Sequence, residues 1–170
     1  MLVEAMAMLG LIAMVTPILY KKAAERTTEL QDINASNQLR VLSSAMDSYI
    51  KDNFSKIVRG ETVTNSCRTN QVDFGDMAGA SSGTVSMSLE HLCEYLPYGF
   101  LDSDGALQDT KLFSIDNADS FKVVLKMEGN DNDNNRTITG FLTAIPHDPD
   151  GFSATRAARI ATMVGSNGGY

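Results

Sequence analysis

The sequence predicts an α+β fold: a long N-terminal α-helix, apolar in its first third and amphipathic thereafter, packed on a small antiparallel β-sheet with short extra helices. Three observations carry this reading. An uncharged stretch from Ala5 to Tyr20 passes without a linker into a segment whose apolar residues recur at three- and four-residue steps. Two segments rich in β-branched and aromatic residues, Phe121–Glu128 and Thr137–Ile145, flank the polar run Asn130–Asn135. Near the end, Ser153 and Gly165 bracket a final helical stretch as cap and stop signals.

In the first element, large apolar side chains from Leu2 to Leu19 cover every face of a helix, so the segment needs an apolar medium all round: a bilayer, or other copies of itself. Leaving them in water would cost on the order of tens of kcal/mol, at roughly 1.5–3 kcal/mol each. As a helix, residues 1–20 would be about 30 Å long, enough to span a hydrocarbon core. A cleaved secretory signal fits less well, because the start carries an acid, Glu4, and no small-residue cleavage site follows.

A carboxylate in an apolar span is a functional hypothesis by default, at a cost of roughly 2.5–3.5 kcal/mol on insertion scales. Two readings of Glu4 stand side by side. It pairs with the α-amino group of Met1, or it lies in a headgroup layer at a helix end, where the macrodipole favours an acid. Pro17 removes a backbone donor within the run and is expected to kink or loosen the helix there. After the basic residues Lys21, Lys22 and Arg26, a stripe of Ala35, Leu39, Leu42, Met46, Ile50, Phe54 and Ile57 continues the helix to about Val58, with a stop near Gly60. The chain therefore divides into an apolar helix, 1–24, and a globular body, 25–170, that includes the second half of the same helix.

Residues 61–84, rich in Ser, Thr, Asn and Gly, read as a loop. Ser88 can cap a short helix running to about Tyr95, which Pro97 ends. Lys111–Ile115 is a short strand candidate, and Phe121–Glu128 pairs with Thr137–Ile145 across the Asn130–Asn135 turn. Ser153 caps the last helix, Ala154 to Val164, and Gly165 suits its C′ position.

The 170 residues, 43% hydrophobic, suffice for one core and not for two. A net charge of −7 disfavours direct nucleic-acid binding by phosphate neutralisation. That charge is uneven: residues 1–60 carry seven basic and six acidic groups, residues 61–170 seven and fifteen. Two cysteines and two histidines cannot complete a four-ligand zinc site without carboxylates. Asp131, Asp133 and Asn135 imitate the start of a calcium loop, but Arg136 stands where glycine is needed and Leu142 where the last acid is needed, so a solvated hairpin turn is favoured. Asp148 and Asp150 around Pro149 read as a turn.

His91, in the short helix, and His147, in a loop, have no nucleophile placed near them by sequence; a Cys–His enzyme using Cys67 or Cys93 is the disfavoured reading, and no cofactor is implied. A disulfide between Cys67 and Cys93, closing a 27-residue loop, would contribute roughly 3–4 kcal/mol and imply an oxidising compartment. Two free buried thiols are the alternative. Topology then poses a conflict. The basic cluster after the apolar run would keep the body in the cytoplasm, whereas the cysteines and acidic body point outside; a basic leader, later removed, resolves it.

Several motifs together resemble a known family. The run Met1 to Ala24, with an early acid, a proline two-thirds along and a basic step after it, looks like the mature N-terminus of a type IV pilin of the type IVb kind. The segments Ser48-Tyr49-Ile50-Lys51-Asp52-Asn53, Tyr95-Leu96-Pro97-Tyr98-Gly99-Phe100, and Ala158 to Gly165 followed by Gly168-Gly169-Tyr170 resemble the N-terminal constant region of shufflon-type minor pilins, the tip subunits of conjugative pili.

The resemblance implies a leader cleaved and a terminus methylated by a prepilin peptidase. It also implies an inner-membrane stage with a periplasmic body, then assembly by dedicated machinery into an extracellular fimbrium. That homopolymer serves adhesion, motility or conjugative contact and is built through the apolar helices, with Met1, Glu4 and Pro17 as assembly residues. In the family an acid at mature position five pairs with a neighbour's terminal amine. Glu4 matches it one place early, so either one mature residue precedes Met1 or the cleavage point is shifted. The family's tip subunits continue into a long variable region where this sequence ends at Tyr170, which makes it a truncated tip subunit or a main subunit on the same body. A pseudopilin of a secretion system is a further alternative, and a single-pass membrane-anchored binding domain is the alternative of another class.

Overall fold

In the computed structural model, the residues described are 2–65, 71–79, 82–98, 100, 121–129, 136–145 and 152–165, with side chains from Thr16 onward. Helix α1 (Leu2–Arg59) is followed by two short strands, β1 (Val63–Thr64) and β2 (Gln71–Val72), and a 3₁₀ turn at Gly75–Met77. Next come β3 (Ser82–Met87), a 3₁₀ helix at Leu89–Tyr95, β4 (Phe121–Glu128), β5 (Thr137–Ala144) and α2 (Ala154–Val164). This is the expected α+β architecture. β1 and β2 form a two-stranded ladder, while β3, β4 and β5 form an antiparallel sheet in that order.

The core lies between α1 and the inner face of the larger sheet. Along β4, Phe121, Val123, Leu125 and Met127 point inward and Lys122, Lys126 and Glu128 outward, the period-two alternation of a strand covered on one side. β5 pairs with it in the register Val123↔Leu142 and Leu125↔Gly140. At Gly140 helix and sheet approach closely: a Cβ there would meet the Met46 side chain at 2.5–2.9 Å.

The buried face of α1 comprises Ala35, Leu42, Ala45, Met46, Tyr49, Asn53 and Ile57. Phe54, expected on this stripe, is 40% exposed. Successive helical residues are about 100° apart, so with Asn53 on the inner face Phe54 is turned to its edge. Asn53 tolerates burial because its Nδ2 donates to the Tyr49 carbonyl (3.0 Å) and to the Tyr95 hydroxyl (3.2 Å). The Tyr49 and Tyr95 rings meet edge to face at 5.7 Å.

Helix α1 continues through Pro17 without interruption, so the expected loosening does not break it. It stops where expected. Gly60 adopts φ +70°, its N–H reaches the Ile57 carbonyl, and the Glu61 N–H reaches the Lys56 carbonyl, the paired bonds of a Schellman motif. The Arg136 guanidinium donates to the Val58 carbonyl at 2.7 Å, so three terminal carbonyls are satisfied.

The stretch 61–84 is not one loop. It holds β1, β2, the first 3₁₀ turn and the start of β3, because Val63, Val72, Phe74 and Met77 bury themselves under the end of α1 and the sheet. The segment after Ser88 is 3₁₀ rather than α-helical, and Ser88 does not cap it through its side chain; its Oγ faces His91 Nδ1 at 2.9 Å instead. Leu96, before Pro97, is extended (ψ 145°), as the proline ring requires. In α2, Ser153 Oγ accepts from the Arg156 N–H (3.2 Å), and Gly165 ends the helix with φ +102°. The strand candidate Lys111–Ile115 and the turn Asn130–Asn135 lie outside the described residues.

Candidate assembly surface

Between Pro17 and Ile33, α1 carries exposed apolar side chains that the rest of the described subunit does not cover. Every residue from Pro17 to Thr27 is exposed, and among the described side chains of the helix the first buried one is Asp32, so this segment projects beyond the body. Ile18, Leu19 and Tyr20 are 58–73% exposed. Further along, Leu30 (61%) and Ile33 (38%) remain open to solvent although the opposite side of the helix has entered the core. At 100° per residue, Leu19, Leu30 and Ile33 share one face with Ala23 and Arg26, pointing away from Ala35 and Leu42. Exposed apolar residues scattered singly need no explanation, but an aligned stripe on a projecting helix is a candidate interaction surface.

Polar groups in the same stretch are partly self-satisfied. Thr27 Oγ1 donates to the Ala23 carbonyl (2.9 Å) and Thr28 Oγ1 to that of Ala24 (3.0 Å), one turn back along the helix. Lys21, Lys22 and Arg26 are exposed and mark the change from the apolar run to the body. Among the described residues, no helix is long and apolar enough to cross a membrane. The side chains of Leu2 to Val15, which make up most of the apolar run, lie outside the description.

Where the projecting segment joins the body, α2 lies against α1. Asp32 is fully buried and its two carboxylate oxygens are divided between two arginines: Oδ1 receives Arg156 Nε at 2.6 Å, and Oδ2 receives Arg159 Nη2. Arg156 also reaches Gln31 Oε1 (3.1 Å) and lies 5.7 Å over the Phe152 ring. Eight residues on, Arg40 donates to the Met163 and Val164 carbonyls at the end of α2. Residue 32 meets 156 as residue 40 meets 164, a constant offset, so the two helices run parallel. Beside this end a shallow groove of about 200 Å³ is lined by Arg40, Ser43, Ser44, Asp47 and Val164. It is smaller and more polar than a typical small-molecule pocket.

Of the residues singled out from sequence, Pro17 is exposed on the projecting helix. Glu4 belongs to α1 by its backbone; its side chain, Met1, His147, Asp131, Asp133, Asn135, Asp148 and Asp150 lie outside the described residues. Cys93 is disulfide-bonded, which removes its thiol as a nucleophile; Cys67, the other cysteine of the chain, lies outside the description. The His91 ring meets its neighbour Ser88 through Nδ1 (2.9 Å to Oγ, 3.2 Å to the carbonyl), and its own carbonyl accepts from Asn65 Nδ2 at 2.7 Å. No group of three metal-ligating side chains comes together among the described residues.

Burial pushes the Tyr49 phenol well above its ordinary value, with Tyr95 and Glu94 adding to the rise. Its hydroxyl has no hydrogen-bond partner among the described residues. Tyr95 is raised by the same desolvation and lowered in part by Asn53. These are core tyrosines, set apart from the projecting helix.

The Asp32–arginine cluster was not singled out from sequence, and no local signal announces it, because its members are 124 and 127 residues apart. The chain matches no protein-family model, no curated protein and no solved structure.

Proposed function

We propose that this chain is a structural, non-enzymatic pilin subunit that polymerises through residues 1–20 into an extracellular type IV filament. The observation that carries the reading is the projecting first half of α1, with its exposed apolar face at Leu19, Leu30 and Ile33 turned away from the body. Such a helix is stable where neighbours or lipid cover it, and an ordered polymer of the same subunit supplies that cover repeatedly. In this reading the subunit waits in the inner membrane with its body in the periplasm, where the Cys93 disulfide is at home. Glu4 then pairs with a neighbour's terminal amine, because a charge moved into an apolar filament core needs a charged partner. No cofactor and no direct nucleic-acid contact enter the proposal.

The test is Glu4→Ala in cells that assemble the filament. Sharply reduced piliation with normal subunit levels is expected, and filaments of normal number from that variant would overturn the reading. Mass spectrometry of the terminal peptide gives an independent check. A methylated amine at Met1, or one residue before it, is expected on protein sheared from the cell surface. An unprocessed Met1 confined to membranes would instead indicate an anchored binding domain.

A further inference from the structure

We infer that α2 is a detachable strap, latched onto α1 by the single carboxylate of Asp32 and able to lift away while the sheet core stays folded. Among the described residues α2 has α1 as its main packing partner. Only Ile160 and Ala161 of the helix are buried. Phe152 just before the helix and Val164 at its end pack half-buried against the same core, and the remaining contacts are polar: Asp32 holds Arg156 and Arg159, Gln31 adds a bond to Arg156, and Arg40 holds the last carbonyls of the strap.

The surface beneath is in part polar. The α1 residues that hold the strap, Asp32 and Arg40, are groups that water receives well, and Ser36 between them donates to the Ile33 carbonyl at 2.8 Å. Lifting α2 exposes Ile160 and Ala161 with the half-buried Phe152 and Val164. By contrast, parting β4 from α1 would expose Phe121, Val123, Leu125 and Met127 together. The latch has two states that both satisfy its charge. Closed, the carboxylate holds two guanidiniums; open, all three groups are hydrated. Any intermediate that keeps Asp32 buried with its arginines gone leaves an uncompensated charge, so opening proceeds as one event. The inference is independent of the proposed polymerisation.

Amide hydrogen exchange on the full-length subunit tests it, comparing Ala157–Gly165 with β4. In the wild type, α2 amides are expected to exchange at least about a hundredfold faster than those of β4, through an opening that does not unfold the sheet. Asp32→Asn keeps the side-chain shape but removes the latch charge; it is expected to speed α2 exchange about tenfold or more while leaving β4 unchanged. Arg159→Gln, at a side chain 46% exposed, acts in the same direction with little risk to folding. Equal protection of α2 and β4 in the wild type, or variants that speed both segments alike or neither, would overturn the inference.

Discussion

The exposed stripe on α1 makes a quantitative prediction. Replacing Leu30 and Ile33 by Gln changes side chains that are 61% and 38% exposed, and so contribute mainly where a neighbour covers them. Gln keeps a good helix propensity, so the isolated subunit is expected to hold its stability within about 0.5 kcal/mol. In a polymer that buries the stripe, the uncovered fraction of each residue counts. Full burial of such a side chain is worth roughly 1.5–3 kcal/mol, so about 1–2 kcal/mol is expected from Leu30 and about half that from Ile33. Together these raise the subunit concentration needed for assembly by about ten- to a hundredfold. The assay is a thermal melt of the subunit in detergent beside sedimentation of polymer across a concentration series. An unchanged melt with unchanged assembly would show that the stripe faces solvent in the polymer, and the argument from exposure would fail. A melt lowered by several kcal/mol would show that it packs within the subunit.

Two further predictions concern the body. Gly140→Ala places a Cβ against Met46 and is expected to cost about 1–2 kcal/mol by overpacking. In a Met46→Ala background the clash disappears, so urea unfolding should show about 1 kcal/mol or more of favourable coupling; additivity within about 0.5 kcal/mol would place the helix farther from β5. Tyr49 gives a pH prediction: its folded-state pKa is raised above the unfolded value, so its contribution to stability is constant below pH of about 10 and falls above it, as the unfolded chain releases its proton first. Tyr49→Phe should keep neutral-pH stability, the hydroxyl having no partner among the described residues, and should flatten the alkaline decline. A persisting decline of the same slope would assign it to Tyr95 or to another group.

What could be read from the sequence was local. The end of α1 at Gly60, the strands Phe121–Glu128 and Thr137–Ala144, and α2 between Ser153 and Gly165 are specified by caps, alternation and turn residues within a few positions of each boundary. β3 escaped because its alternation is written in weak letters: Ser82, Thr84 and Ser86 face out, while Gly83 begins the inner row before Val85 and Met87. Phe54 misled because a hydrophobic stripe counts Asn53 as polar, although two hydrogen bonds make it a core residue. Arg136 has a role that the sequence did not show. In sequence it stands where a calcium loop needs glycine; in the fold it donates to the Val58 carbonyl at the end of α1, from the residue just before β5. The Asp32 latch needs partners from the opposite end of the chain, and no pattern within one element could reveal it.

The parallel arrangement of α1 and α2 has an electrostatic consequence. Helices that run side by side in the same direction align their macrodipoles unfavourably, and something must offset this. Here α1 presents an acid and a base eight residues apart, a separation of about 12 Å along its axis. Asp32 lies beside the first turns of α2, where backbone N–H groups leave partial positive charge, and Arg40 lies at its last carbonyls. The pair forms an opposed dipole on the surface of α1 that fits α2 in one direction and one register. Reversing the helix would set a carboxylate against its negative end, and a shift of one turn would strand Arg40. Two side chains thus give the C-terminal helix a polarity that its few apolar contacts could not impose.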